Sequence, residues 1–443
     1  MNVDTLFLIE QGPDLRAFVY SGFAEALAER GEVAFLAPEG VARAYIPDRF
    51  RVFDRDAHIS TPPAKVARAA RLHDLWTEHA VQRAGGERWL NFAGHEAQRG
   101  LVRRLRDAAL ALPIPGKRKL AARTIARAAP NAKLDALLRE VKPERIVLSN
   151  AATPLAIETI RTARGLDIAT IVALNSWKDA FARPSVPVPA KLLACETETA
   201  RNHLHQFNDT VASRSIVIPS LHAETFRRDE YRMGREEFCR AAGLDPAKPF
   251  ICYTAAAPRA VSHERAIVAD LIFAMAREEA LRDVQLLIRL NPMDDDPEAW
   301  HAMASESVTI QRPDWDWDSA AIWSCPTPDD CRTWISTVAH AAANVSISST
   351  VTRDFLSFGH PVVNILFDAP DAAAGTNCRF WEAPFYRELH EHPLVTPARN
   401  VQEIVAALPA ALATRDGDPP IAVLEDTPFA WLLEAMEVTD ERA

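Results

Sequence analysis

Two short polar segments in the second half of this 443-residue sequence carry residue types that can hold a phosphate. In LLIRLNPMDDD, an apolar run ends at Arg289, Asn291, Pro292 and Met293. An arginine side chain offers a planar fork of N–H donors that fits a phosphate, and proline fixes the backbone where it leaves a strand. The pattern predicts a phosphate contact. A surface arginine at an ordinary strand exit is the alternative.

The other segment, NVSISSTVTRDFLSFG, places Ser348, Ser349 and Thr350 between an apolar run and a short amphipathic helix. Backbone N–H groups are free at a helix N-terminus, and short hydroxyls beside them suit a phosphate. An ordinary N-cap is the alternative, because Ser and Thr are favoured there in any case. Asp354, in the first turns, would accept a hydrogen bond from a ribose hydroxyl or remain solvated. Together the two segments are typical of a nucleotide-sugar site.

The elements around these motifs alternate strands and helices in two series. Ligands of parallel α/β sheets bind beyond the carboxyl ends of the strands, which is where both polar segments lie. We therefore predict an α/β protein of two Rossmann-like domains, 1–220 and 221–425, and a C-terminal helix, 426–443, that packs back across them. The predicted strands are TLFLIE, EVAFLAP, RVFD, RIVLSN, IATIVALN, KLLACE and SIVIPS in the first series, and FICYT, VQLLIRLNP, VTIQ and the runs flanking the serine segment in the second.

Several common sites have no counterpart in the sequence. Neither half has G-x-G-x-x-G after a strand or G-x-x-x-x-G-K-[ST], and the chain has only 15 glycines, so dinucleotide oxidoreductases and P-loop ATPases lose their main support. H-E-x-x-H and paired C-x-x-C are also missing. The six cysteines are scattered, and we predict inert buried thiols. We expect no metal and no other cofactor.

A basic helical insertion interrupts the first domain at about residues 62–133. It holds 15 Lys and Arg against five Asp and Glu, whereas the whole chain has a formal charge of −10. The overall charge argues against a nucleic-acid binder. The basic helices could contact anionic lipid or a lipid-linked acceptor, or could be a solvated face.

The sequence predicts a cytoplasmic protein. No apolar run approaches the roughly 20 residues that span a bilayer, and MNVDTLFLIEQGPD lacks the basic start and cleavage site of a signal peptide. If the basic insertion binds lipid, the protein would lie at the inner face of the membrane.

Two α/β halves with Ser-Ser-Thr and Gly-x-Pro-Val in the second resemble a GT-B glycosyltransferase, whose Rossmann-like domains face a cleft. The chain is similar to the bacterial surface-polysaccharide group that includes CDP-glycerol glycerophosphotransferases and transferases of CMP-activated sugars. In that group Arg or Lys followed by His-Pro ends one strand, Ser-Ser or Ser-Thr ends the next, and both contact the donor. This sequence matches at Arg289, Pro292 and residues 348–350, but has Asn291 where the family usually has His.

The resemblance continues in the first half. ALNSWKDAF is similar to the family's Asp-Asn-x-Thr-x-Lys segment and retains Asn175 and Lys178. It implies a metal-independent glycosyltransferase that moves a sugar from a CMP-, CDP- or UDP-linked donor to a cell-surface glycan or lipid-linked acceptor. Arg289, Asn291, Pro292, Met293, Ser348, Ser349, Thr350 and Asp354 would then bind the donor.

Such a transfer needs a base near the acceptor and cationic support for the leaving phosphate. Asp14, at the first strand exit in EQGPDLR, is the first candidate for the base, and a solvated carboxylate in a first helical turn is its alternative. Lys178 and Asp179 are further catalytic candidates, and Lys178 would steady a phosphate or an acidic sugar. Arg16 and Asn175 are candidates for binding the acceptor.

Two other functions remain open. A nucleotide-sugar epimerase of the same fold, such as a UDP-N-acetylglucosamine 2-epimerase, would use several carboxylates and His on the donor itself and would turn over without an acceptor. A catalytically silent GT-B module would bind a glycan or a partner, and Asn291 in place of His favours it.

Overall fold

The computed structural model describes residues 3–40, 44–84, 116–258, 261, 263–318, 323–372, 375, 377–413 and 428–440. The chain divides into two compact units. Unit 1 consists of Met1–Glu224, Trp317–Cys325 and Glu425–Ala443, and unit 2 consists of Thr225–Asp316 and Pro326–Leu424.

Unit 1 is built on a seven-stranded parallel sheet in the order β3-β2-β1-β4-β5-β6-β7. This is the strand order of a doubly wound sheet, with the crossover point between β1 and β4. The strands are β1 (Thr5–Leu8), β2 (Val33–Ala37), β3 (Arg51–Asp54), β4 (Arg145–Leu148), β5 (Ala169–Ala173), β6 (Ala190–Cys195) and β7 (Ala212–Val217).

The helices of unit 1 form where apolar periodicity meets capping residues. Thr153 accepts a hydrogen bond from the Ala156 N–H, and Pro154 opens the helix that follows. The helices are Gly12–Leu15, Arg16–Tyr20 (a π-helix), Phe23–Ala28, Arg55–His58, Ala64–Arg83, Lys117–Ala126, Ala132–Val141, Pro154–Gly165, Asp179–Ala182, Glu198–Phe207 and, from the C-terminus, Pro428–Asp440.

Phenylalanines form the core beside β1. The Phe7 ring packs 5.1 Å from that of Phe18 and 5.2 Å from that of Phe35, centroid to centroid. The C-terminal helix joins this core, because Phe429 stacks on Phe23 at 5.2 Å. The last helix of the chain therefore packs on unit 1.

Unit 2 repeats the architecture with six parallel strands in the order β10-β9-β8-β13-β14-β15. The central strands β8, β9, β13 and β14 are buried along their whole length, as expected for strands covered on both faces. The strands are β8 (Phe250–Thr254), β9 (Gln285–Arg289), β10 (Val308–Gln311), β13 (Ala343–Ile347), β14 (Val362–Ile365) and β15 (Val395–Ala398).

The helices of unit 2 lie between these strands, and a small hairpin follows β10. Strands β11 (Trp315–Asp318) and β12 (Trp323–Pro326) pair with each other. The helices are Arg235–Ala242, Glu264–Met275, Pro297–His301, Pro328–His340, Val351–Leu356, Cys378–Trp381 and Val401–Ala413, with 3-10 turns at His222–Arg227, Asp229–Tyr231, Glu279–Leu281 and Arg387–Leu389.

The predicted fold class is confirmed, since each series of predicted strands forms one parallel sheet. RVFD and FICYT match β3 and β8 residue for residue. Strands β11, β12 and β15 were not predicted. The described parts of the basic insertion, Ala64–Arg83 and Lys117–Ala126, are helical. Its residues 85–115 lie outside the described residues, so its proposed membrane contact stays a prediction.

Candidate functional site

Asp14 lies at the carboxyl end of β1, on the turn that Gly12 and Pro13 create. The residue is fully buried, so the solvated alternative does not hold. Its Oδ2 accepts hydrogen bonds from the backbone N–H of Glu10 at 2.7 Å and of Gln11 at 3.0 Å. Burial raises the pKa of Asp14, against the opposing effects of the Ser149 hydroxyl, these N–H groups and Asn175.

The turn has no room for a side chain at Gly12. A Cβ there would lie 1.9 Å from the Ser324 carbonyl oxygen and 2.3 Å from the Cys325 Cα. Both residues belong to unit 1. The close approach of this backbone explains the glycine two residues before Asp14.

Glu10 provides a second carboxyl group at the same strand end. Burial raises its pKa to about 7, and the negative charge of Asp14 adds to the shift. The Thr153 hydroxyl, Arg183 and Arg55 act in the opposite direction. Arg55 also donates to the backbone carbonyl of Glu10 at 3.0 Å. Glu10 was not placed from the sequence, because the turn after β1 decides where its side chain points.

Asn175 and Asp179 bring a third carboxyl group from the end of β5. The Asn175 Nδ2 donates to the Asp14 Oδ1 at 2.5 Å, which joins the β1 and β5 exits. Asp179 is half-buried, and burial of its carboxyl raises the pKa, opposed by Lys178 and Arg183 and increased by Asp14. Lys178 itself is exposed. Glu10, Asp14 and Asp179 thus form a carboxylate cluster at one edge of the unit 1 sheet.

Arg16 pairs with a histidine that sequence reasoning missed. Its guanidinium Nη2 lies 2.6 Å from the Nε2 of His222, which follows β7 more than 200 residues later. No sequence pattern connects the two residues, because only the fold brings them together.

In unit 2, Arg289 forms a buried ion pair with Asp330. Its Nη2 donates to Asp330 at 2.5 Å and its Nη1 donates to Gln311 at 3.1 Å, and Arg289 is only 5% exposed. Asp330 also accepts from the Trp315 indole at 2.9 Å. The guanidinium that the sequence suggested for a phosphate therefore faces groups of its own unit. Nothing around Asp330 in the sequence signals this pairing.

After Arg289 the chain forms a turn in which Asn291 and Pro292 are half-buried. The Asn291 Oδ1 accepts from the Met293 N–H at 3.0 Å, and Pro292 lies between them. Met293 is 49% exposed. Asn291 therefore shapes the turn that follows β9.

The Ser-Ser-Thr segment follows β13, as predicted. Ser348 is buried, and Ser349 and Thr350 are half-buried. Thr350 immediately precedes the helix Val351–Leu356 and makes no side-chain cap, so the ordinary N-cap does not account for it. Asp354 accepts a hydrogen bond from the Trp334 indole at 3.1 Å and is not simply solvated.

A buried network of hydroxyl groups packs against the Ser-Ser-Thr segment. The Tyr386 hydroxyl lies 2.6 Å from the Thr352 Oγ1 and donates to the Asn364 Oδ1 at 2.7 Å. Burial raises the pKa of Tyr386, while Thr352 and Ser348 oppose the shift. The network therefore stays neutral and fixes the β13 and β14 exits.

Glu264 is a further carboxylate that sequence reasoning missed. It accepts from the Tyr253 hydroxyl at 2.7 Å and from the Ala256 N–H with both oxygens, at 3.1 and 3.0 Å. Burial raises its pKa to about 7. These bonds fasten the β8 exit to the start of the helix Glu264–Met275.

No cluster of three or more His, Cys, Asp or Glu suited to a metal occurs among the described residues. Five cysteines are buried and Cys378 is half-buried, and burial raises the pKa of both Cys195 and Cys252 to about 12. In the described part of the chain, no helix is long and apolar enough to cross a membrane.

Comparisons with known proteins identify the fold. No protein-family model and no curated protein matches the sequence. Three similar solved structures are UDP-GlcNAc 2-epimerases. That of Methanocaldococcus jannaschii has a TM-score of 0.56 at 10% identity, over 99% of this chain and all of that one. The structure from Neisseria meningitidis, bound to UDP-GlcNAc, has a TM-score of 0.55 at 11% identity, over 99% of this chain and 100% of that one. The structure from Rickettsia bellii has a TM-score of 0.50 at 10% identity, over 99% of this chain and 97% of that one.

These neighbours confirm the GT-B fold and overturn the main functional prediction. At such low identity the likeness establishes the fold alone. The resemblance to transferases that use CDP-glycerol or CMP-activated sugars is not supported by these structures. The prediction of a glycosyltransferase was wrong. The alternative made from the sequence, a nucleotide-sugar epimerase of the same fold, agrees better with the comparisons.

Proposed function

We propose that this chain is an epimerase that inverts one carbon of a nucleotide-linked sugar without an acceptor. The observation that carries the proposal is the carboxylate cluster of Glu10, Asp14 and Asp179 at the carboxyl ends of β1 and β5. Several carboxylates acting on the donor itself are what the epimerase alternative required. The full-length similarity to UDP-GlcNAc 2-epimerases supports the same reaction class.

Epimerisation requires a group that removes a proton and a group that returns one. A carboxyl group transfers protons best when its pKa is near the working pH. The Glu10 pKa of about 7 meets this condition, so we assign proton transfer to Glu10. Asp179, whose pKa is also raised by burial, is assigned as the second carboxyl group.

Asp14 has a different role in this proposal. Three N–H groups already donate to its two oxygens, from Glu10, Gln11 and Asn175. Its charge raises the pKa of both Glu10 and Asp179. We therefore assign Asp14 as the residue that holds the turn and tunes the two proton-transfer groups.

We assign nucleotide binding to Ser348, Ser349, Thr350 and Asp354 of unit 2. The hydroxyls stand at a strand exit, where parallel sheets bind ligands. The Tyr386 hydroxyl, which is bonded to Thr352 and Asn364, also interacts with Ser348. Arg289 is left out because its guanidinium is buried and bonded to Asp330 and Gln311. A uridine nucleotide is the first to test, since the similar Neisseria structure is bound to UDP-GlcNAc. The proposed reaction uses no metal.

The test is to incubate the purified chain with UDP-, GDP-, CDP- and TDP-linked sugars in the absence of any acceptor. The proposal predicts a second sugar epimer attached to the same nucleotide, separated by chromatography. Transfer that occurs only when a glycan acceptor is added would contradict it.

A nucleotide-sugar binding module without turnover is the second candidate. It is favoured by the hydrogen bonds that already engage Asp14 and by the buried ion pair of Arg289. This candidate predicts a thermal shift with a nucleotide sugar but no epimer after prolonged incubation. Formation of an epimer would eliminate it.

A further inference from the structure

Four buried polar atoms lie near the carboxylate cluster without a hydrogen-bond partner. Among the described residues they are the Glu10 Oε1, the Ser149 Oγ, the Asn175 Oδ1 and the Arg16 Nε. Native proteins pair most buried polar atoms, so each unpaired one needs an explanation such as a ligand. Their concentration at neighbouring strand ends indicates a site built for one.

The Asn175 amide has a fixed orientation. Its Nδ2 donates to the Asp14 Oδ1 at 2.5 Å, so its oxygen must point away from that carboxylate. The opposite orientation would place two acceptors against each other. The Asn175 Oδ1 is therefore a buried acceptor that its own unit leaves unused.

Ser149 follows β4, the strand between β1 and β5, and is 2% exposed. Its hydroxyl is near enough to Asp14 to lower the pKa of that carboxyl group, but it makes no hydrogen bond of ordinary geometry. The lone pairs of the Ser149 Oγ then remain free. Ser149 and Asn175, which both act on Asp14, thus each offer an unused acceptor.

We infer that Ser149 and Asn175 bind hydrogen-donating groups of the sugar, hydroxyl or amide N–H, and that this subsite selects an uncharged sugar over an acidic one. The inference rests on the proposed function, because it assumes that the ligand is a nucleotide sugar. Among the four unpaired atoms the Arg16 Nε is the one donor, whereas the site has two unpaired neutral acceptors beside three carboxyl groups, so a sugar carboxylate would meet mainly acceptors where it needs donors. Lys178, Arg183 and Arg55 lower the pKa of Asp179 or Glu10, so these cations already interact with the carboxyl groups of the cluster.

The test compares the affinities of three probes by calorimetry: UDP, UDP-N-acetylglucosamine and UDP-glucuronic acid. The wild-type chain is expected to bind UDP-N-acetylglucosamine more tightly than UDP, and UDP-glucuronic acid no more tightly than UDP. Ser149→Ala and Asn175→Ala should each lower the affinity for UDP-N-acetylglucosamine by about 3- to 10-fold, the usual contribution of one hydrogen bond. The affinity for UDP should not change.

Asn202→Ala is the matched control, because Asn202 is exposed on the helix Glu198–Phe207 of the same unit. It should leave all three affinities as in the wild type. Thermal unfolding of each variant checks that it is folded. Ser149→Ala removes only one oxygen atom and is therefore a milder change than Asn175→Ala.

Three results would overturn the inference: equal wild-type affinity for UDP and UDP-N-acetylglucosamine, tighter binding of UDP-glucuronic acid, or an unchanged sugar preference in both alanine variants. The proposed function fails separately. If the variants lose the sugar preference but the wild type forms no epimer, the subsite stands and the epimerase does not. If the wild type forms an epimer while both alanine variants bind UDP-N-acetylglucosamine as tightly as the wild type, the epimerase stands and the subsite does not.

Discussion

The carboxyl edges of the two sheets share a topology but differ in chemistry. Both sheets are parallel, and in each the first strand of the series lies beside the fourth. The edge of unit 1 gathers Glu10, Asp14 and Asp179 and leaves several buried polar atoms unpaired. The edge of unit 2 gathers hydroxyls beside a hydrogen-bonded network, and the buried Arg289 there is paired with Asp330.

This difference shows that the two units share a fold without sharing the side chains that would decide a reaction. A doubly wound sheet supplies a place for ligands at its strand ends, whatever side chains stand there. In the proposed reaction, the carboxyl groups of unit 1 with raised pKa values transfer the proton. Unit 2 also has a carboxyl group with a raised pKa, Glu264, but Tyr253 and the Ala256 N–H already engage it, and the hydroxyls there are assigned to ligand binding.

The largest predicted effect is that of Glu10→Gln. We expect turnover to fall about 10²- to 10⁴-fold, because the substitution removes a general acid–base group while keeping its shape. UDP affinity should stay the same, since that role belongs to unit 2. Steady-state kinetics and calorimetry measure the two effects. Glu29→Gln, at an exposed glutamate of the same unit, is the control. Full activity of Glu10→Gln would remove the distinction between the two edges.

Arg289→Ala should act on stability. Removing one member of a buried ion pair leaves the Asp330 carboxylate uncompensated, so the free energy of unfolding should fall by about 3–5 kcal/mol. Urea unfolding measures it. Arg332→Ala, which breaks the exposed pair with Glu237, should cost at most about 1 kcal/mol. A stable Arg289→Ala variant with lost UDP affinity would instead restore the phosphate role suggested by the sequence.

The pH dependence sharpens the comparison, because Glu10 at the unit 1 edge and Glu264 at the unit 2 edge both have a pKa near 7. The pKa values of Glu10 and Glu264 rise from 4.5 to about 7. Between these values the folded chain binds more protons than the unfolded chain, so the free energy of unfolding falls as pH rises. Each residue contributes at most about 3 kcal/mol to this fall.

Unfolding at pH 5 and pH 8 should therefore show a flatter dependence in both Glu10→Gln and Glu264→Gln. Only Glu10→Gln should abolish the change in turnover near pH 7. If Glu264→Gln changed that profile equally, proton transfer would not be confined to unit 1.

Tyr386→Phe gives the smallest predicted effect. The substitution leaves Thr352 and Asn364 without the Tyr386 hydroxyl, so we expect a loss of about 1–3 kcal/mol in the free energy of unfolding. UDP affinity should fall less than tenfold and turnover at saturating substrate should not change. A large fall in turnover with unchanged affinity would give unit 2 a part in the chemistry.

The fold could be predicted from the sequence because buried parallel strands are continuous apolar runs. FICYT and RVFD are examples. Strand β15 was missed because LVTPA contains a proline. Strand β11 was missed because Trp and Asp alternate in WDWD, which is not a continuous apolar run. Both exceptions lie away from the centres of the main sheets.

The candidate site was predicted less completely. Asp14, Asn175 and Asp179 were proposed because they follow strands. In the structure Asn175 donates a hydrogen bond to Asp14, and the charge of Asp14 acts on Asp179, so the three residues are neighbours. Glu10 could not be placed, and Arg289 was suggested for a phosphate, because a side chain's partner can lie far along the chain, as Asp330 does. The glycosyltransferase prediction failed because a serine segment after a strand is suited to bind a nucleotide and does not specify the reaction.

The most direct test of the account follows solvent deuterium. The chain is incubated with UDP-N-acetylglucosamine and other nucleotide sugars in D₂O without an acceptor, and the sugar carbons are followed by NMR. We predict deuterium at one sugar carbon of a bound substrate, together with its epimer, and the loss of both signals in Glu10→Gln. A nucleotide sugar that binds the wild-type chain but gains no deuterium at any carbon would contradict proton transfer at the unit 1 edge.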